Sequence, residues 1–151
     1  MSQLLAKDAF LTVVRDTPLV SIDLVVKDAE GKILLGYRKN SPAKGYWFVP
    51  GGRICKNETL DQAFARITLT ELGIALKRET AILLGLYDHI YTDNFANVEG
   101  IGTHYVVMAY AVELSTAALS LPKEQHSDYT WMSATELTQH AYVHPNTQAY
   151  V

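Results

Sequence analysis

The segment 51–74 constrains the fold of this chain more than any other part of its sequence. It reads as the end of a short strand that breaks at glycines, followed by a polar loop and a helix. Glu58 follows Gly52 after five residues, Arg66 follows after seven more, and Glu71 after four more. Because glycine has no side chain, backbone at Gly51 can approach a ligand closely. The segment therefore predicts a strand–loop–helix unit that offers a backbone carbonyl and a helix carboxylate to one site.

The helix of this unit is predicted to begin near Thr59 and to end at Gly73. Thr59 and Gln62 have the spacing of a capping box, and Gly73 suits a helix C-cap. Glu58 and Arg66 are expected to form a pair that braces the loop against the helix. The apolar residues predicted to form its buried face are Leu60, Ala63, Phe64, Ile67 and Leu72.

The rest of the chain alternates apolar runs with turn residues. Apolar periodicity predicts a helix over residues 3–15, which Pro18 ends, and a capping box at Ser133 opens a short helix. A polar, glycine-containing loop is expected at 93–102. Strands are predicted at 19–26, 32–37, 46–49, 82–91, 104–113 and 128–132. These elements predict an α/β/α sandwich with a mixed β-sheet.

Composition limits the class of protein. The 151 residues are 48% hydrophobic, which suits one domain over residues 1–151 with its own core. A net charge of −3 gives no reason to expect nucleic acid as a partner. The single cysteine, Cys55, excludes an intramolecular disulfide and fits a reducing compartment. No apolar run approaches the roughly 20 residues that span a bilayer, so we expect a soluble cytoplasmic protein without a membrane partner.

The spacing in segment 51–74 resembles the Nudix box, G-x5-E-x7-R-E-U-x-E-E-x-G-U, in which U is an aliphatic residue. A full box would carry glutamate where this chain has Ile67 and Thr70. Positions 67 and 71 share one helix face, and of this pair Glu71 alone is a carboxylate. The resemblance implies the Nudix fold. The two gaps predict one divalent ion and no helix glutamate as general base.

Further segments resemble the GDP-mannose mannosyl hydrolase family, a branch of the Nudix superfamily, over nearly the whole chain. They are residues 17–21, 42–53, 93–95, 103–107 and 121–126. That family has the same incomplete box. The resemblance implies hydrolysis of GDP-mannose, and perhaps of GDP-glucose, to GDP and free sugar, with inversion and with water attacking the anomeric carbon. It also implies a homodimer whose N-terminal segment helps to form the nucleotide site.

The resemblance assigns further roles to single residues. The metal is Mg²⁺, one per subunit, with Mn²⁺ as an alternative. Its implied ligands are the Gly51 carbonyl, Glu71 and Gln125, and the implied general base is His126. An imidazole, with an ordinary pKa of about 6.5, suits that role near neutral pH.

Other candidates follow from their chemistry. Arg38 and Arg53 flank the glycine break and are expected to bind the diphosphate, because a guanidinium can bond two oxygens at once. Asp23 is a candidate for holding a sugar hydroxyl or stabilising an oxocarbenium-like centre. The alternative for Asp23 is a surface acid on an edge strand. His89 and Tyr105 are candidates for contacts with the leaving phosphate or the sugar.

The N-terminal apolar residues Leu4, Leu5 and Phe10 are candidates for enclosing the guanine. Their alternative is the core or a dimer interface. Two rival functions also remain open at this stage. One is a conventional nucleotide-sugar pyrophosphatase that yields GMP and a sugar phosphate, and the other is a non-catalytic nucleotide-sugar-binding protein.

Overall fold

The computed structural model describes residues 5–121 and 126–151, with the side chains of 126 and 127 excepted. The helices of this part are α1 (Lys7–Asp16), α2 (Leu60–Leu72), α3 (Ala134–Gln139) and α4 (Pro145–Gln148). The strands are β1 (Leu19–Lys27), β2 (Ile33–Arg38), β3 (Trp47–Phe48), β4 (Gly51–Arg53), β5 (Ile82–Tyr91), β6 (Thr103–Glu113) and β7 (His126–Met132).

In the part of the chain that the structure describes, the seven strands form one mixed sheet. Its main order is β3-β2-β1-β6-β5, while β4 also pairs with β1 and β7 with β2. The β1–β6 pairing is parallel, and the other pairings are antiparallel. The predicted mixed sheet is therefore confirmed. Strand β1 lies in its interior, so the interpretation of Asp23 as an acid on an edge strand is wrong.

The two faces of β1 face two different cores. Ile22, Leu24 and Val26 are fully buried in a cluster that includes Phe64 and Ile67 of α2. Side chains alternate along a strand, so the intervening residues face the opposite side. There Val25 joins a second cluster, whose other members include Phe48, Leu35, Leu137 and Val143. Helices thus cover both faces of the sheet, as the predicted α/β/α sandwich requires.

Helix α2 is bounded by the signals that its sequence carries. The Thr59 hydroxyl accepts a hydrogen bond from the Gln62 backbone N–H, and the Gln62 side chain accepts from the Thr59 N–H, which completes the capping box. Gly73 ends the helix with φ of 77°, a left-handed conformation that glycine adopts at little cost. Both predicted ends of this helix are confirmed.

Some boundaries differ from the predicted ones. Residues 51–53 continue as strand β4 because they pair with β1, although the glycines had predicted only a break. Strand β7 begins at His126 rather than at 128, since it pairs with β2 up to Arg38. Helix α1 begins at Lys7 and has no side-chain cap at Ala6, so apolar spacing alone placed its start too early. Helix α4 was missed, although Pro145 at its first turn is a known start signal.

Strand β5 forms one end of the sheet and exposes aliphatic side chains. Ile82 and Ile90 are each 70% exposed and Leu86 is 68% exposed. Within the described residues, this is the most apolar exposed stretch of strand. Exposed aliphatic patches of this kind often mark contact surfaces.

Candidate functional site

A pocket of about 330 Å³ opens beside β1, on the face opposite α2. Six of the predicted site residues line it, although they come from five different strands: Asp23, Arg38, Gly51, Arg53, His89 and Tyr105. A second pocket of about 320 Å³ adjoins the first and shares Asn40, Ser41 and Phe95 with it. Lys39 and Lys44 line this second pocket, so the combined cleft is rich in positive charge.

The other predicted site residues lie elsewhere or beyond the description. Leu5 is exposed, Phe10 is half-buried, and neither lines the pockets. Glu71 is buried near the end of α2 and does not line them. Leu4 and Gln125 fall outside the described residues. The backbone of His126 pairs with that of Arg38, which lines the pocket.

Gly51 permits a close approach between β4 and β1. It lies opposite Asp23 in the sheet, and a Cβ at this position would stand 2.5 Å from Asp23 Oδ1 and 2.5 Å from the Ile22 carbonyl oxygen. A side chain cannot occupy that space without displacing both of them. The glycine is therefore what allows the Asp23 carboxylate to lie against the backbone of segment 51–74, the strand–loop–helix unit that is called the cassette from here on.

The two predicted arginines are held by different means. Arg38 ends β2, beyond a register shift, and its Nε donates a hydrogen bond to the Pro42 carbonyl at 2.9 Å. Arg53 ends β4, and its guanidinium lies 4.7 Å from the centre of the Phe10 ring. A guanidinium over an aromatic face is attracted by the ring electrons. Phe10 thus supports an arginine of the pocket without lining the pocket.

Asp23 is buried in a short hydrogen-bonded chain that the sequence did not predict. The Tyr150 hydroxyl donates to Asp23 Oδ2 at 2.6 Å and lies 3.3 Å from His89 Nε2. Burial raises the pKa of Asp23 to about 7, while the Tyr150 hydrogen bond and the charge of Arg38 act in the opposite direction. The carboxyl group can therefore gain or lose a proton near neutral pH.

Burial is the main cause of the pKa shifts of the aromatic and imidazole groups around Asp23. Burial lowers the pKa of His89 to about 4, helped by nearby His144, so the His89 ring is neutral near pH 7. Burial raises the pKa of Tyr91 to about 12 and also raises that of Tyr105. These groups therefore stay uncharged and can serve as neutral hydrogen-bonding partners in the pocket.

The end of α2 explains the missing acids of the cassette. Ile67 is 1% exposed, and one of its carbons would lie 3.1 Å from a Cβ added at Gly52. Thr70 lies on the exposed side of the helix. Glu71 lies one turn beyond Ile67 on the same face. In this chain the box position at 67 is part of the core, and a carboxylate there would be buried under β4.

Two oxygen groups of the cassette, one on β4 and one on α2, fit a hard divalent cation in their chemistry. The Glu71 carboxylate and the Gly51 carbonyl are the kind of oxygen ligands that Mg²⁺ takes, and Mg²⁺ usually keeps several waters. Among the residues that the structure describes, no three His, Cys, Asp or Glu side chains form a ready metal cluster.

The loop of the cassette is locked onto α2 by an ion pair, which confirms the predicted brace. Arg66 Nε donates to Glu58 Oε2 at 2.6 Å, and a second guanidinium nitrogen donates to the Arg53 carbonyl at 2.7 Å. Glu58 also accepts from the Cys55 backbone N–H. The Arg66 bonds lower the pKa of Glu58 to about 2. Arg53 is thus positioned by the same pair that closes the loop.

Replacing Glu58 by Gln is expected to destabilise the fold near neutral pH and to have little effect in strong acid. The folded-state pKa lies below the ordinary value of 4.5, so the carboxylate stabilises the protein above about pH 4.5 and loses this effect as pH falls toward 2. Near pH 7 we expect a loss of roughly 2–3 kcal/mol in the free energy of unfolding. Urea unfolding at several pH values measures it.

Asp61→Asn is the matched control. Asp61 lies on α2, as Arg66 does, and it pairs with Arg78 beyond the helix, but its side chain is 75% exposed. This variant should lose less than about 1 kcal/mol. Equal losses of unfolding free energy in the two variants would contradict the stabilising role of the Glu58–Arg66 pair. A Glu58→Gln loss that persists unchanged in acid would contradict it as well.

The loop after β5 holds one wall of the pocket. Asn94 is fully buried, and its amide group donates to the carbonyls of Val98 and Ile101 while its oxygen accepts from two backbone N–H groups. This places Phe95 on both pockets and 4.9 Å from the Phe10 ring. The Asn94 side chain therefore organises the loop, and its role is structural.

Tyr91 and Tyr150 are among the residues of this region that sequence reasoning did not predict. Tyr91 lines the pocket and accepts a hydrogen bond from Asn146, and Tyr150 contacts Asp23. The available signal was His144-Pro145, because His144 caps α4 through Nδ1 and so fixes the segment that carries Tyr150. Nothing local in the sequence links that segment to β1.

Comparison with known proteins supports the fold and the cassette together. A family model described as the NUDIX domain matches residues 17–150. The low-salt glycan biosynthesis protein Agl8 of Haloferax volcanii is 41% identical over 137 residues, which cover 90% of this chain and 84% of Agl8. A MutT NUDIX hydrolase structure from Burkholderia pseudomallei has a TM-score of 0.68 and 29% identity, covering 89% of this chain and 96% of that one.

A third structure, the NUDIX domain of Shewanella oneidensis NrtR complexed with ADP ribose, has a TM-score of 0.64 at 19% identity and covers 97% of this chain and 96% of that one. At this identity the likeness concerns the fold. A mixed sheet between helices, with the cassette on β4 and α2, defines a Nudix protein. The chain belongs to the NUDIX family and is a Nudix hydrolase. None of its described helices is both long and apolar enough to cross a membrane.

Proposed function

We propose that this Nudix hydrolase acts on GDP-mannose, with GDP-glucose as a second candidate, and releases GDP and the free sugar. The observation that carries the proposal is the position of the acids. Ile67 is buried under Gly52, while the acid that lines the pocket, Asp23, is on β1. A site of this kind lacks the box glutamates at 67 and 70, and Glu71 is assigned to the metal, so no helix glutamate is left to activate water for attack at phosphorus. It has instead an acid suited to a sugar centre that develops positive charge.

The diphosphate is bound, in this proposal, by Arg38 and Arg53. Both line the pocket together with Gly51 and Gly52. Their guanidinium groups can take up the charge that develops on GDP as it leaves. The adjoining pocket with Lys39 and Lys44 extends the cleft, which supports a two-part ligand such as a nucleotide sugar.

The sugar end of the cleft is assigned to Asp23, His89 and Tyr105. His89 and Tyr105 are directly opposite each other on β5 and β6, so their side chains share one face of the sheet. Both are uncharged near neutral pH and can bond to sugar hydroxyls or to the leaving phosphate. We assign the general base to His126, whose backbone lies opposite Arg38. Leu4, Leu5 and Phe10 are proposed to enclose the guanine.

A divalent cation, Mg²⁺ or alternatively Mn²⁺, is proposed to be held by the Gly51 carbonyl, Glu71 and Gln125, one per subunit. Nudix hydrolases typically use such cations. When bound, it would stabilise negative charge on the diphosphate. The described residues add Arg38 and Arg53 to the same task.

The similarity to Agl8, a protein named for glycan biosynthesis, supports a sugar-containing substrate. We further propose one domain over residues 1–151 that works in the cytoplasm as a homodimer. The buried thiol of Cys55 suits a reducing compartment. The exposed aliphatic residues of β5 support a contact between two copies.

Hydrolysis of GDP-mannose in ¹⁸O-labelled water tests the proposed function. We expect intact GDP and label in mannose, because water attacks the anomeric carbon. Label in a phosphate, with GMP and mannose 1-phosphate as products, would establish the pyrophosphatase instead. Binding of GDP-mannose with Mg²⁺ present but no product would establish a nucleotide-sugar-binding protein. Mass spectrometry of the products, repeated with a panel of nucleotide sugars, measures all three outcomes.

A further inference from the structure

Tyr150 joins two residues of the pocket without lining the pocket itself. Its hydroxyl oxygen lies 2.6 Å from Asp23 Oδ2 and 3.3 Å from His89 Nε2. Asp23 is 7% exposed and His89 is 4% exposed. A buried polar group is costly unless its hydrogen bonds are satisfied, so these contacts matter for both residues.

The chemistry of a phenol determines how the protons are arranged. A tyrosine hydroxyl has one proton to donate, and its oxygen can also accept. The shorter contact is the one to Asp23, so the proton is donated there. The Tyr150 oxygen then accepts a hydrogen bond from His89, which requires a proton on Nε2. In the neutral His89 ring, Nδ1 is then the unprotonated nitrogen.

The contact with Tyr150 also gives the two oxygens of the Asp23 carboxylate different surroundings. Its Oδ2 is occupied by Tyr150. Its Oδ1 lies on the Gly51 side, where an added Cβ would stand 2.5 Å away. One oxygen is thus anchored while the other is directed to the backbone that lines the pocket.

Tyr150 is itself firmly placed. Its backbone N–H donates to the Thr147 carbonyl, and its ring packs edge-on against Tyr87 with centres 4.9 Å apart. Thr147 is buried, and its hydroxyl accepts from the Val49 backbone N–H at 3.4 Å. The C-terminal segment therefore docks beside β3 and β4 and holds the phenol at a defined point.

We propose that Tyr150 is a positioning residue for the sugar end of the site: it orients the Asp23 carboxylate and keeps the His89 proton on Nε2. This proposal rests on the proposed function, in which those two residues contact the sugar or the leaving phosphate. Tyr150 acts through them and does not touch the substrate.

The kinetic test uses Tyr150→Phe in the full chain. We expect kcat for GDP-mannose to fall roughly 10- to 100-fold, by analogy with residues that orient metal ligands through a hydrogen bond, with KM changed less than about threefold. Tyr110→Phe is the matched control, because that buried hydroxyl bonds to Arg78 on the opposite face of the sheet. It should keep normal turnover. A Tyr150→Phe enzyme with normal kcat, or with the loss confined to KM, overturns the proposal.

A double-mutant cycle separates positioning from an independent role. If Tyr150 works through Asp23, Tyr150→Phe should cost less than about a further twofold in an Asp23→Asn background, since groups that act as a unit are not additive. A second loss as large as the first would overturn the proposed route through Asp23.

The ¹⁵N NMR spectrum of histidine-labelled protein tests the proton position without any activity. The His89 signals are assigned by their absence in His89→Gln. We expect Nε2 to be protonated near pH 7 and its resonance to move in Tyr150→Phe but not in Tyr110→Phe. A proton on Nδ1 in the unmodified protein overturns the positioning of His89. If the product assay shows no release of mannose, the proposed function is wrong. The NMR spectrum still tests separately whether Tyr150 keeps the His89 proton on Nε2.

Discussion

Replacing His126 by Gln is expected to lower the turnover of GDP-mannose by roughly 10²–10⁴-fold, the range for loss of a general base. The physical reason is that α2 lacks the box glutamates at 67 and 70: Ile67 is buried in the core, Thr70 is uncharged, and Glu71 is assigned to the metal. Binding of GDP-mannose should change much less, because the base acts on water. Rapid-quench measurement of single turnovers at increasing GDP-mannose concentrations separates the two effects, because it gives the rate of the chemical step and the apparent affinity for GDP-mannose.

His140→Gln is the control for this experiment. His140 follows α3 and does not line the pocket, and its Nδ1 accepts a hydrogen bond from the Tyr142 backbone N–H. This variant should turn over GDP-mannose normally. If His126→Gln is equally active, the general base is another residue and the assignment of His126 is wrong.

Replacing Gly51 by Ala is expected to cost about 2–4 kcal/mol of folding free energy and most of the activity. The new Cβ would lie 2.5 Å from both Asp23 Oδ1 and the Ile22 carbonyl oxygen, in the interior of the sheet. Neither atom can move far, because β1 is held by β4 on one side and by β6 on the other. The strands must separate locally, which also displaces Asp23. Urea unfolding measures the loss in folding free energy, provided that the dependence of this free energy on urea concentration is the same in both proteins.

Gly85→Ala provides the comparison for that result. Gly85 also lies in a strand, but its added Cβ would stand 3.4 Å from the Tyr87 ring, an ordinary contact. We expect a change of less than about 1 kcal/mol. A Gly51→Ala protein as stable as Gly85→Ala would show that β4 tolerates a side chain and that the close approach to Asp23 is not required.

The cassette could be predicted because its interactions are local. The capping box joins residues three apart, Gly73 ends the helix through its own backbone, and Glu58 meets Arg66 eight residues later. Such contacts depend on the rise and turn of one helix, which residue spacing specifies. The identity of Ile67 as a core residue also follows from apolar periodicity.

The candidate site was predictable only in part. The types of its residues indicated the ligand class, and the pocket does bring Asp23, Arg38, Arg53, His89 and Tyr105 together. These residues lie close together only because of the order of the strands in the sheet, and residue spacing alone does not specify that order. The position of β1 in the sheet interior decided that Asp23 is a buried acid and not a surface one.

By itself, the sequence determined the strand–loop–helix cassette, the mixed sheet between helices and the chemical character of the site, because these arise from short-range periodicity, capping and charge. Only the tertiary structure decided that Gly51 must lack a side chain beside Asp23 and that Tyr150, 127 residues away, holds that carboxylate. Contacts between distant segments form when strands pair and the last helix docks on the sheet. Their partners are therefore set by packing of the whole chain and not by spacing within any one element.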